Sequence, residues 1–150
     1  MHDSGGMANQ FIGDSVMAIF GLDTDLDTAS RQAVQASALI DRRMPEWSAS
    51  FEAQFGQPVD FGMGLHAGRA AVGRVGFEHT TTFTAVGEVV NTASRLQEYT
   101  KSAQARLVLS LEVARRAGVA DGLGEVRQVQ VRGRPFDVEP YARNSVARFE

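Results

Sequence analysis

The sequence predicts an α/β or α+β domain in which a mixed sheet is backed by helices. Three observations carry that prediction. Short β-prone runs recur along the chain, and two longer segments repeat their apolar positions at helical three- and four-residue steps. The two patterns interleave in the order β-β-α-β-β-β-α-β-α-β-β, with no linker, repeat or low-complexity tract to divide residues 1–150. A domain of this length buries roughly two-thirds of its unfolded surface, so a single core suffices.

Met7–Ile12 and Val16–Leu22 are β-prone runs around Gly13-Asp14-Ser15, which reads as a hairpin with a tight polar tip exposing Asp14. From Asp25 the period changes: Ala29, Ala33, Ala36, Ile40 and Met44 mark the apolar face of a long helix. Thr24 or Asp25 can cap its start, Pro45 should kink or end it, and a shorter helical piece follows to Phe55 before Gly56. Val59, Phe61, Met63 and Leu65 then alternate with Asp60, Gly62, Gly64 and His66, a strand whose two glycines leave room for something to lie close. Beyond Gly68 comes a run Ala70–Val75, a loop from Gly76 through Thr81, and a brief strand Phe83–Val86. Val89 opens a helix with Val89, Ala93 and Leu96 on one side. Arg106–Leu109 reads as a strand and Leu111–Ala117 as a short helix stopped by Gly118. Val126–Arg132 and Phe136–Tyr141 form a closing hairpin around Gly133-Arg134-Pro135.

Composition removes several function classes. With no cysteine, thiol nucleophiles, iron–sulfur clusters and Cys-based zinc sites are excluded. A net charge of -3, from 15 Lys+Arg against 18 Asp+Glu, argues against a nucleic-acid partner. No apolar run approaches the roughly 18 residues of a membrane span and no signal pattern opens the chain, so the expectation is a cytoplasmic domain without membrane contact.

Asn91 and Arg95 stand four residues apart on the second helix. At 100° per residue they lie about 200° and 240° from Val89, while Ala93 and Leu96 lie near 40° and 340°, so the pair points away from the core. An amide and a guanidinium on one rigid face can grip a ribose oxygen and a phosphoryl group, though a solvated polar face explains the spacing as well. Asp14 is either an ordinary turn residue or one carboxylate of a Mg²⁺ site completed by substrate phosphates. Arg132 and Arg134 can meet a polyphosphate or serve as edge-strand charges. The glycines at 62, 64, 68, 73 and 76 fit neither the P-loop, for which no Gly-Lys-Ser/Thr exists, nor a dinucleotide fingerprint. His2, His66 and His79 are scattered, which disfavours a histidine metal site, and His66 reads as a packed histidine.

Taken together, NQFIGDSVMAIFG at 9–21, GMGLHAGRAAVGRVG at 62–76 and FTAVGEVVNTASRLQ at 83–97 resemble the class III nucleotidyl cyclase catalytic domain, the adenylate and guanylate cyclase family. The resemblance runs from about Gly5 to Tyr141. It implies a ferredoxin-like α/β domain working as a head-to-tail homodimer with active sites at the interface. It also implies a reaction in which the ribose 3′-oxygen of ATP, or of GTP, attacks the α-phosphorus to give a 3′,5′-cyclic nucleotide and pyrophosphate. On the matching positions it makes Asp14 a ligand of a two-metal Mg²⁺ or Mn²⁺ site, Asn91 the residue that positions the ribose and Arg95 the one that stabilises the transition state. Arg134 becomes a triphosphate contact. Gln10 stands where the family reads the purine with Lys or Glu, and Thr84 is its partner position, as in many bacterial adenylate cyclases.

Only 13 residues precede Asp14, where family members carry a first central strand, another metal-binding aspartate and two helices. The expectation is therefore an N-terminally incomplete, adenylate-type domain whose isolated chain self-associates abnormally and turns over little or no ATP. Two rivals follow. One is a non-catalytic dimerisation or nucleotide-binding module. The other is a cyclic-dinucleotide synthase, disfavoured because no Gly-Gly-Asp/Glu-Glu-Phe sequence is present.

Overall fold

The computed structural model describes residues 5–77, 80–120, 127–131 and 134–141. Its elements follow the order β1(Gly6–Ile12), β2(Ser15–Phe20), α1(Leu26–Phe55), β3(Met63–Leu65), β4(Ala71–Phe77), β5(Thr80–Val86), α2(Glu88–Ala103), β6(Leu107–Ser110), α3(Leu111–Ala117), β7(Arg127–Val131) and β8(Arg134–Tyr141). This is the predicted succession. The centre is a mixed sheet in the order β3-β6-β8-β7, and β1-β2 and β4-β5 form separate two-stranded ladders. β3 runs parallel to β6, while β8 lies antiparallel to both β6 and β7. Among the described residues no helix is long and apolar enough to cross a membrane.

Asp25 caps α1 by accepting from the Thr28 amide at 2.9 Å and the Thr28 hydroxyl at 2.7 Å. These bonds hold the Asp25 carboxyl below its usual range. Gly56, with φ of 76°, ends the helix in the left-handed conformation. The helix does not end at Pro45 but continues through it to Phe55. Pro45 is exposed, and the helix continues past the hydrogen bond that its missing N–H removes, held at its ends by the Asp25 and Gly56 caps. Phe51 and Phe55, one turn apart with ring centroids 4.4 Å from each other, add local support to the outer half. The buried face also differs from the predicted one. Val34, Ala38 and Asp41 join Ala29, Ala36 and Met44 inside, while Ala33 and Ile40 are only half-buried. Periodicity centred on alanines misplaces the stripe because alanine is as common at its edge as at its middle.

β6 explains the layering. Leu107, Val108 and Leu109 are all 0% exposed, so this strand is covered on both faces and reads as an unbroken apolar run. Leu107 and Leu109 pack with Val34 and Ala38 of α1 and Val113 and Ala114 of α3, and Met63 and Leu65 of β3 border that cluster. Val108 points to the other face, where it packs with Leu96 of α2. The core thus has three layers: α1 and α3, the sheet, and α2.

The strand expected over 59–66 shrinks to Met63–Leu65. Phe61 is instead tied to Arg106, which donates to its carbonyl at 2.8 Å and stacks 5.4 Å from its ring. Arg106 also pairs with Asp41 at 3.1 Å and with Asp60. The loop expected over 76–81 contracts in turn, because β4 and β5 continue to Phe77 and Thr80. Val126, Arg132, Gly133, His2 and His79 lie outside the described residues.

Candidate active site on helix α2

Two glycines place α2 against the sheet. A Cβ on Gly64 would stand 2.5 Å from the Ala93 carbonyl oxygen and 2.9 Å from the Gln97 Cα, and would also collide with the Gln97 amide nitrogen. A Cβ on Gly62 would overlap the Thr100 side chain, and one on Gly68 would lie 3.3 Å from Val89 Cγ2. What lies close to the predicted glycine face is therefore α2 itself, running antiparallel to β3 with its N-terminus toward Gly68. The start of α2 is fixed directly by β5. Gly87, in extended backbone, joins Val86 to Glu88, and a side chain there would meet the Arg69 carbonyl at 3.1 Å.

With Leu96 fully buried and Thr92 and Thr100 also inside, the opposite face of α2 is presented outward. Asn91 and Arg95 are exposed, as predicted, and line an open depression of about 270 Å³ together with Ser94 and Glu98. Ser94 and Glu98 were not anticipated. On the same helical wheel they fall about 140° and 180° from Val89, so their periodicity already put them beside Asn91 and Arg95. The depression offers an amide, a guanidinium, a hydroxyl and a carboxylate on one rigid surface.

Thr84 lies on β5 opposite Gly73, three residues before the turn into α2. Its hydroxyl oxygen accepts from Asn9 Nδ2 at 3.2 Å, which brings β1 and β5 together. Gln10 follows Asn9 on β1 and pairs with Met17; its side chain lies outside what the structure describes. Gly13 and Asp14 form the two-residue turn between β1 and β2, with φ of 63° at Gly13, the pattern of a II′ hairpin with glycine first. Asp14 is exposed at that tip, as expected, and does not line the α2 depression.

Arg134 opens β8 opposite Val131, and its side chain also lies outside the description. The register nevertheless locates its backbone. Val138 pairs with Ser110 at the C-terminal end of β6, so the strand from Val138 back to Arg134 projects beyond that end of the sheet. β3 is parallel to β6, and the N-terminus of α2 packs toward the C-terminal end of β3. Arg134 and the first turns of α2 consequently share one edge of the domain.

Asp14 supplies one hard oxygen donor, and among the described residues no group of three His, Cys, Asp or Glu is positioned to hold a metal. A single exposed carboxylate is one hard oxygen donor and not a closed protein cage. His66 is half-buried, and burial lowers its imidazole pKa against a smaller opposing pull from Glu112. This matches the packed histidine expected from the sequence.

Comparison with known proteins identifies the family. Residues 7–141 match the family described as the adenylate and guanylate cyclase catalytic domain. A terminal-differentiation-specific adenylate cyclase of Dictyostelium discoideum is 36% identical over 108 residues, covering 72% of this chain and 5% of its own length. The chain thus spans a small part of that relative. The crystal structure of the adenylyl cyclase CyaB from P. aeruginosa superposes with a TM-score of 0.75 at 26% identity, covering 93% of this chain and 72% of the other. That of the guanylyl cyclase Cya2 gives a TM-score of 0.77 at 24% identity, covering 93% and 71%, and speaks for the fold alone. The chain belongs to the class III adenylate and guanylate cyclase catalytic domain family.

Proposed function

We propose that this domain converts ATP, and less readily GTP, to the 3′,5′-cyclic nucleotide and pyrophosphate at a site shared between two copies of the chain. The observation that carries the reading is the exposed Asn91–Arg95 face, held on a helix whose backbone rests on Gly64. In the reaction the ribose 3′-oxygen forms a bond to the α-phosphorus and gives up its proton. The bond from the α-phosphorus to the bridging oxygen breaks, and the electron pair leaves with pyrophosphate.

Asn91 holds the ribose so that its 3′-oxygen faces the α-phosphorus, converting an unfavourable encounter into a fixed approach. Arg95 meets the charge that grows on the α-phosphoryl oxygens, which makes its contact stronger in the transition state than in the bound substrate. Gln10 and Thr84 contact the purine edge, and Arg134 meets the β- and γ-phosphates. Asp14 holds the cation. When bound, Mg²⁺ or Mn²⁺ supplies activation of the attacking oxygen and neutralisation of the phosphates. In the proposed homodimer the Asp14 carboxylate of one copy faces the α2 face of the other. The reading places the domain in the cytoplasm, where nucleoside triphosphates are held.

The test is formation of cyclic AMP and cyclic GMP by this chain and by an extended one, with Mg²⁺ and with Mn²⁺, alongside equilibrium binding of ATP. Turnover lost in Asn91→Ala and Arg95→Ala supports the reading. Tight nucleotide binding without turnover would instead identify a non-catalytic nucleotide-binding module.

A further inference from the structure

The depression on α2 carries a charge of the wrong sign for the ligand proposed there. Asn91, Ser94, Arg95 and Glu98 line it, and among these described residues Glu98 is the carboxylate. Glu98 is exposed and stands three residues beyond Arg95, so neighbouring turns of the helix bring the carboxylate beside the guanidinium. Glu88 is also exposed on α2, but it lies in the first turn, has an interaction of its own and does not line the depression. Lys101, the next cation along the helix, does not line it either.

Order along the helix gives this charge a consequence. Asn91 is in the first turn of α2, Arg95 follows one turn later, and Glu98 lies about 10 Å beyond Asn91 at 1.5 Å per residue. With the ribose at Asn91 and the α-phosphoryl group at Arg95, the β- and γ-phosphates have two courses. One continues along α2 and passes over Glu98. The other leaves the helix toward the edge that the first turns of α2 share with the start of β8 at Arg134. A carboxylate repels phosphate oxygens and, as an acceptor without a hydrogen, offers them no bond. The helix dipole acts in the same sense, since its positive end is at Glu88 and no side chain caps that end.

We infer that Glu98 is a specificity-determining residue that sets the course of the phosphate chain: it closes the path along α2 and turns the β- and γ-phosphates toward Arg134. This rests on the proposed reading in which Asn91 and Arg95 hold the nucleotide. Removing the charge opens the second course, in which the nucleotide is bound but its β- and γ-phosphates miss Arg134. Molecules held that way occupy the site without reacting, so kcat and KM fall by the same factor. The ratio kcat/KM is unchanged, because it compares free enzyme and free substrate with the transition state alone.

The experiment measures binding of tripolyphosphate to this chain by calorimetry, and kcat and KM for ATP in a complete version of the domain, for the parent, Glu98→Gln, Glu98→Asp and Arg95→Ala. A unit charge about 6 Å from a doubly charged phosphate in water changes affinity by roughly 3- to 10-fold. Glu98→Gln should therefore bind tripolyphosphate more tightly by that factor at low salt and by less at high salt. Its kcat and KM for ATP should fall together on the same scale. Glu98→Asp keeps the charge and should follow the parent. Since Glu98 is exposed, thermal melts of its variants should stay close to the parent's. A fall in KM alone would make Glu98 a general repeller of substrate and overturn the inference, and a fall in kcat/KM would give it a merely structural role and do the same. Unchanged tripolyphosphate affinity in Glu98→Gln, with weakened affinity in Arg95→Ala, would overturn the inference and leave the α2 face as the phosphate site. Unchanged affinity in Arg95→Ala would remove the phosphates from that face and overturn both.

Discussion

Gly64→Ala tests whether the seating of α2 on β3 governs catalysis. The new methyl carbon would stand 2.5 Å from the Ala93 carbonyl oxygen and 2.9 Å from the Gln97 Cα, both main-chain atoms that no rotamer change can clear. Ordinary contact between such atoms begins near ~3.5 Å, so α2 must retreat by roughly 1 Å. Overpacking of this kind costs about 1–3 kcal/mol, and the rigid backbone neighbours put Gly64 at the upper end. For a domain of this size that lowers Tm by roughly 6–12 °C. Asn91 and Arg95 ride on the displaced helix, and a misplacement of about 1 Å costs on the order of 10²-fold in rate. The assay pairs calorimetric melting with cyclic nucleotide formation well below the new Tm. Gly73→Ala is the control, since a Cβ there meets nothing within 4 Å, and it should stay within about 0.5 kcal/mol of the parent. Equal stability and turnover in Gly64→Ala and Gly73→Ala would refute the argument.

Three other perturbations have defined outcomes. Arg106→Met should be destabilising, by up to about 3–5 kcal/mol, because it breaks the buried pair with Asp41, and Arg106→Met/Asp41→Leu should recover part of that loss in denaturant titrations. His66, with its imidazole pKa lowered by burial, binds fewer protons folded than unfolded. Its contribution is therefore complete above the unfolded value of about 6.5 and is lost as pH falls through the lower folded value, so His66→Gln should flatten the acid side of a stability-versus-pH curve. Gln10→Lys should sharpen preference for ATP, because a donor-only Lys suits the acceptor N1 of adenine and opposes the N1–H of guanine, whereas an amide can serve either; an unchanged ATP:GTP ratio would remove Gln10 from the base site.

How much of this was legible in the sequence depends on the range of the interaction. α3 lies at Leu111–Ala117 as predicted, and Asp25, Gly56 and Gly118 cap or end their helices, because each of those signals is local. The outward face of α2 was equally readable, since helical geometry alone orients Asn91 and Arg95. Pro45 signals a kink or an end, and that local signal does not reveal that α1 runs on through it to Phe55. The strand at 59–66 was overextended because alternation does not reveal that Arg106, 45 residues on, captures the Phe61 carbonyl. The same limit hid the buried Asp41–Arg106 pair and the Asn9–Thr84 bond, which depend on elements distant in sequence. The glycines of β3 announced a close neighbour but not that it was the helix carrying the site.

The most direct test of the central claim is turnover by a complete version of the domain and by its Arg95→Ala variant, measured as cyclic AMP formed from ATP with Mn²⁺ at saturating and limiting substrate. A guanidinium that meets charge developing at phosphorus is worth about 10²–10³-fold in rate, so kcat should fall on that scale while KM changes little. Unchanged kcat with a large rise in KM would place Arg95 in substrate binding alone, and unchanged values of both would remove the α2 face from the active site.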